Sequence, residues 1–125
     1  METTQTPVIS LDLKKQRIRI HKQTLHMLND PCYVQFLVNP DQQTIAIKVC
    51  TRHARLAHKI SYKASVDCDF YSKELLFQLH TVCPELVDGY TYRLPGVVYT
   101  DKGLAIFHMN RLTPVCEPVH EKNIS

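Results

Sequence analysis

The chain of 125 residues has no tryptophan and three glycines, Gly89, Gly96 and Gly103. Glycines so far apart cannot build a phosphate-cradling loop or a G-x-G-x-x-G turn, so P-loop and dinucleotide-binding chemistry are excluded. No apolar run approaches the roughly 18 residues of a membrane-spanning helix. The opening METTQTPVIS lacks the apolar stretch of a secretory signal, so none is expected. The cysteines, at 32, 50, 68, 83 and 116, are odd in number and form no C-x-x-C pair. They are expected to be reduced thiols in a cytoplasmic protein, several buried as small apolar side chains. Cys50 with His53 and Cys83 with His80 are the nearest thiol and imidazole pairs in sequence. Neither lies in a nucleophile motif, so no enzyme is expected and no cofactor is implied.

Hydrophobic residues make up 44% and charged residues 22%, the composition of a chain that buries a core. The net charge of +3 is too small to name a partner, but it is unevenly spread. Residues 1–65 carry ten Lys and Arg against four acids, and residues 66–125 carry five against eight. A basic face contributed by the first half is therefore expected.

The periodicity is mostly that of strands. In YVQFLVNPDQQTIAIKV, Val34, Phe36 and Val38 alternate with Tyr33, Gln35 and Leu37, and Asn39-Pro40-Asp41 supplies a turn. Ile45, Ile47 and Val49 complete a hairpin whose two faces are both fairly apolar, a hint of burial on both sides. In RIRIHKQTLHML, Ile18 and Ile20 alternate with Arg17 and Arg19; Leu25 and Leu28 then recur at helical spacing until Asn29-Asp30-Pro31. The second half repeats the scheme. A long strand is expected through Ile60, Tyr62, Ala64, Val66, Cys68 and Phe70. A helix follows, with Ser72 as N-cap, Leu75, Leu79 and Val82 as its stripe and Pro84 as its end. YTYRL and VVYTDKGLAIFHM give two more strands, with a bulge or bend at Pro95-Gly96 and a turn at Gly103.

The fold class expected is α+β: one β-dominated domain over residues 9–113, with a twisted or barrel-like core and flexible ends at 1–8 and 114–125. Two βαββ halves, residues 14–50 and 60–110, form a degenerate repeat. Lys22, Leu25 and Leu28 match Lys73, Leu76 and Leu79; Ala46-Ile47 match Ala105-Ile106.

The stretch RIRIHKQTLHML followed by YVQFLVNPDQQTIAIKV resembles the swapped-hairpin, AbrB-type transcription regulators. Two copies in one chain look like the MraZ-type regulators, in which tandem repeats form an internal pseudo-dimer. The resemblance covers residues 17–49 and, more loosely, 68–109. It implies DNA contact by cations on the exposed strand, a role that falls by position on Arg17, Arg19 and Lys22. The second copy departs from the pattern at Asp67 and Asp69, where a DNA-facing strand is basic; these acids are expected to be solvated.

From the residues themselves, Lys14, Lys15, Arg17, Arg19 and Lys22 can face one phosphate backbone. Arg52, Arg55 and Lys59, at spacings of three and four, add one stripe if that segment is helical. Cys50, His53 and His58 are ligand types that zinc accepts, at irregular spacing, so no metal site is assigned. Tyr90, Tyr92 and Tyr99 could stack single-stranded bases, although strand tyrosines are more often half-buried. The expected function is that of a small DNA-binding or DNA-associated regulatory protein, able to form a homodimer through exposed strand edges. The alternative is a non-enzymatic protein–protein interaction module with an acidic partner.

Overall fold

The computed structural model describes residues 6–61 and 67–115. Nine antiparallel strands dominate: β1 (Val8–Asp12), β2 (Arg17–Ile20), β3 (Tyr33–Asn39), β4 (Thr44–Cys50), β5 (His58–Lys59), β6 (Cys68–Tyr71), β7 (Thr91–Tyr99), β8 (Leu104–His108) and β9 (Thr113–Pro114). Two helices are interspersed, α1 (Lys22–Met27) and α2 (Lys73–Val82). The strands form one curled sheet in the order β5-β3-β4-β8-β7-β1-β2-β6, with β9 beside β7. The curl brings the two ends of this order together. Phe36 of β3 and His58 of β5 both meet the ring of Phe70 of β6 edge-on, at centroid distances of 5.2 and 5.4 Å.

Alternation along each strand decides which side chains enter the core. Ile9 and Leu11 of β1, Ile18 and Ile20 of β2, and Ile45 and Ile47 of β4 are fully buried, as are Leu94 of β7 and Phe107 of β8. The helices lie against this core. Thr24 of α1 is buried; its hydroxyl donates to the Val8 carbonyl and accepts from the Val8 N–H, both at 3.0 Å. α1 ends where Asn29 and Asp30 adopt positive φ, as Asn and Asp tolerate. Ser72 caps α2 by accepting from the Leu75 N–H at 3.2 Å, and the helix buries Leu75, Leu76, Leu79 and Val82. Both helices and the β3–β4 hairpin agree with the sequence expectation. Among the described residues no helix is long and apolar enough to cross a membrane.

Val8-Ile9-Ser10-Leu11-Asp12 forms a strand that joins β2 to β7. At the other end Thr113 and Pro114 pair with β7. Two expectations are corrected. The long strand expected over Ile60–Phe70 is not continuous: β5 pairs with β3, β6 pairs with β2, and the middle of the expected strand, 62–66, lies outside the described residues. The segment between β4 and β5 is turn rather than helix, with Leu56 at φ +57, so Arg52, Arg55 and Lys59 form no helical stripe.

At Pro95-Gly96, β7 changes partner. Val8–Asp12 pair with Thr91–Pro95, and Gly96–Tyr99 pair with Leu104–Phe107. Alternation is unbroken through this point, so the pair marks a bend and not an inserted residue.

Candidate nucleic-acid interface

The registers lay out the outer face of the β6-β2-β1-β7 part of the sheet. Asp69 stands opposite Arg19, Arg19 opposite Ser10, and Ser10 opposite Arg93, giving one row across four strands. The next row runs Tyr71, Arg17, Asp12, Thr91. A cleft of about 180 Å3 is lined by Ser10, Asp12, Arg17, Arg19, His21 and Arg93, among others. Lys14 and Lys15 are exposed on the β1–β2 turn at one end of this face, and Lys22 opens α1 beside it.

Arg17 and Arg19 do reach this face, but they are held by carboxylates. Arg17 donates to Asp12 at 3.2 Å and to Asp69 at 3.1 Å. Arg19 donates to both oxygens of Asp69, at 2.7 and 3.0 Å. Such a two-point bond to a charged acceptor is strong and fixes the plane of the guanidinium. The hydrogen bond to Arg19 holds the Asp69 carboxyl below its usual pKa, and the same bond raises that of Arg19. Asp67 accepts from the backbone N–H of Lys22 at 2.8 Å, at the first turn of α1. Asp67 and Asp69 are therefore not simply solvated; they fix the cations of the first half. Asp12 also accepts from the N–H groups of Lys14 and Lys15, both at 3.0 Å, shaping the turn that presents those lysines.

Arg93 was not legible as a site residue, because it lies in the half of the chain with an acidic excess. Only the alternation of YTYRL, with Tyr92 and Leu94 buried, could have placed it outward. Its side chain is exposed and has no hydrogen-bond or ion-pair partner among the described residues. The face then carries Lys14, Lys15, Arg17, Arg19, Lys22 and Arg93 against Asp12, Asp67 and Asp69, a formal excess equal to the net charge of the whole chain.

Ser10, His21 and Asp67 stand in a hydroxyl, imidazole and carboxylate order. The Ser10 hydroxyl is 2.8 Å from His21 Nε2, and His21 Nδ1 is 4.0 Å from Asp67. Burial pushes the His21 pKa down, aided by Arg93 and Arg19 and opposed by Asp67, and the ring shares one hydrogen bond with the Ser10 hydroxyl. An acyl-transfer site also needs donors aimed at an oxyanion. The backbone at Ser10 is engaged in the ladders to β2 and β7, and Asp67 is committed to Lys22. The trio acts as a lock between β1 and the start of α1.

The other sequence candidates do not join this face. Arg52, Arg55 and Lys59 lie in the loop after β4 and in β5, which pairs with β3. The Arg55 carbonyl accepts from Gln35 Nε2 at 2.8 Å, and Arg52 Nε lies 3.5 Å from His53 Nε2. Cys50, His53 and His58 are not brought together as ligands: His58 packs on Phe36 and Phe70, and Cys50 lies in β4 opposite Tyr33. Among the described residues no group of three or more His, Cys, Asp or Glu is placed to hold a metal ion. Burial raises the Cys50 thiol pKa, and burial together with Glu85 raises that of Cys83, the opposite of a reactive thiolate. The three tyrosines form no platform: Tyr90 and Tyr92 stack at 6.4 Å, but Tyr92 is buried and its hydroxyl accepts from Val87, while Tyr99 ends β7 far along the strand. Compared with known proteins, the chain gives no significant match to a protein-family model, a curated protein or a solved structure.

Proposed function

We propose that the chain is a small DNA-backbone-binding protein of a regulatory kind, which meets phosphates with the outer face of β1, β2 and β7. The observation that carries this is the convergence of Lys14, Lys15 and Arg93, all exposed, around the braced Arg17 and Arg19. Lys14, Lys15, Lys22 and Arg93 supply charge that no carboxylate among the described residues pairs with. Arg17 and Arg19 keep unused donors but are largely neutralised, so the attraction is weaker than a count of cations suggests.

Two βαββ halves fit this reading. The order β2-α1-β3-β4 recurs as β6-α2-β7-β8. Corresponding strands pair with each other, β2 with β6 and β4 with β8. The strand leading each half lies on the hairpin of the other, β1 on β7 and β5 on β3. An exchange of this kind supports the resemblance to swapped-hairpin regulators.

Titration with random-sequence duplex DNA at two salt concentrations tests the proposal. Four phosphate contacts give a log–log slope near about −3.6, so affinity is expected to fall about 100-fold between roughly 50 and 200 mM salt. Reversing Lys14 and Lys15 to Glu together should abolish most of the low-salt binding. Absence of binding at the lower salt overturns the proposal and leaves the alternative, a non-enzymatic module whose basic half meets an acidic protein partner.

A further inference from the structure

Ser10 stands on the outer face between two arginines. Its register partners are Arg19 on β2 and Arg93 on β7. Neighbouring strands lie about 4.8 Å apart, so the backbones of the two arginines are about 10 Å apart across β1. Serine is too short to fill that gap. What remains is the cleft of about 180 Å3, with Arg17 and His21, the next outward positions on either side of Arg19, along its wall.

Donors outnumber acceptors in this cleft. Asp12 is the one carboxylate in the lining, and it is 8% exposed. One of its oxygens accepts from the N–H groups of Lys14 and Lys15, and the other from Arg17 Nε. Asp69, just beyond the lining, accepts from Arg17 Nη1 and from Arg19 Nε and Nη2. Arg17 Nη2, Arg19 Nη1 and the whole guanidinium of Arg93 have no partner among the described residues. Burial lowers the His21 pKa, and Arg93 and Arg19 add to this against Asp67, so both guanidinium groups lie near the ring.

We infer that the cleft seats one phosphate group between Arg19 and Arg93, over the Ser10 hydroxyl. This rests on the reading of the face as a phosphate surface, and it names the point where one phosphate is gripped rather than merely attracted. Asp69 fixes the plane of the Arg19 guanidinium before any anion arrives, so less side-chain freedom is lost on binding. Arg93 closes from the opposite strand. Ser10 supplies a third direction. When His21 Nε2 carries the ring proton it donates to the Ser10 oxygen, 2.8 Å away, and the hydroxyl proton is left for the anion. Donors from three strands suit a tetrahedral oxyanion, whereas a planar carboxylate is satisfied by one guanidinium alone.

Volume limits the ligand. Pockets that enclose a whole organic molecule begin at roughly 300 Å3. The cleft therefore holds the phosphate and leaves its ester substituents outside, over the open face. Two sources share this chemistry: an internal phosphodiester of duplex DNA, and a free phosphate or phosphomonoester.

Amide and arginine Nε–H spectra of the full chain, followed during addition of inorganic phosphate and then of dimethyl phosphate at constant ionic strength, test the inference. Saturable shifts are expected at Ser10, Arg19 and Arg93 with a midpoint of order 1–10 mM, as befits so small a ligand. Lys14 and Lys15 should move little. Arg93→Gln, at an exposed position, should keep the native spectrum and lose the saturable response.

A short duplex then separates the two sources. A loss of duplex affinity of about tenfold in Arg93→Gln at low salt, against about threefold in Lys14→Gln, assigns the seat to the DNA backbone. Duplex affinity that Arg93→Gln leaves unchanged assigns it to a free phosphate. No saturation by either small anion, or saturation that Arg93→Gln leaves intact, overturns the inference; duplex binding by the unaltered chain would then still uphold the DNA reading. Saturation by phosphate without any duplex binding removes the DNA reading and keeps the cleft.

Discussion

Replacing Gly96 by alanine is expected to lower the unfolding midpoint by about 10 °C or more. Gly96 points into the core from β7, at the bend where the strand leaves β1 for β8. A β-carbon there would lie 2.4 Å from Cδ2 of Phe107 and 2.5 Å from the Ile106 carbonyl oxygen. Neither neighbour can give way. Phe107 is fully buried, and Ile106 is fixed between β4 and β7. Overpacking of this kind costs about 3 kcal/mol, and each kcal/mol shifts the midpoint of a domain this size by roughly 4 °C or more. Phe107→Leu should cost about 1 kcal/mol alone. In the double variant it should recover part of the Gly96→Ala loss, since the two residues share one contact. Thermal unfolding of the three variants measures this. An unchanged midpoint for Gly96→Ala, or strict additivity, would show that the bend does not depend on the bare backbone at 96.

Asp69→Asn carries the largest expected gain in binding. Asp69 takes three of the donors of Arg17 and Arg19. The amide keeps the shape of the side chain but removes its charge, and so returns the Arg19 guanidinium to the outer face, while Arg17 keeps Asp12 at 3.2 Å. Each added phosphate contact steepens the salt dependence by about 0.9 log units, so duplex binding at low salt should tighten about tenfold. Stability should move the other way. The ion pairs are partly exposed, with Asp69 at 22%, so the loss is about 1 kcal/mol rather than that of a buried charge. A folded Asp69→Asn protein with unchanged or weaker DNA affinity would mean that Arg17 and Arg19 serve only to pin β2 to β6.

Local order was legible where one chain segment carries its own pattern. The β3–β4 hairpin, both helices, the Ser72 cap and the turn at Gly103 follow from alternation, helical spacing and turn residues within a few positions. β1 was hidden because Leu11, Asp12 and Leu13 are all buried, which breaks the alternation that marks a half-buried strand. Alternation from Ile60 to Phe70 was real, yet it carries no information on partners, and β5 and β6 pair at opposite ends of the sheet order. Arginines three and four apart in residues 52–59 suggested a helix, but no apolar stripe accompanied them, and Leu56 is exposed. The site itself depended on register between distant segments. Asp69 meets Arg19 across fifty residues of chain, and Arg93 meets Ser10 across more than eighty. No spacing within either segment encodes those meetings, so the bracing of Arg17 and Arg19 and the arrival of Arg93 emerge only from the fold.

Amide shift mapping of the 14.5 kDa chain during addition of a short duplex tests most directly where a polyanion sits. The largest changes are predicted at Ser10, Lys14, Lys15, Arg17, Arg19 and Arg93, the outward positions of β1, β2 and β7 and the turn between them. Changes centred instead on residues 51–59, or on Leu37, Val97 and Tyr99, would contradict the assignment of this face to DNA.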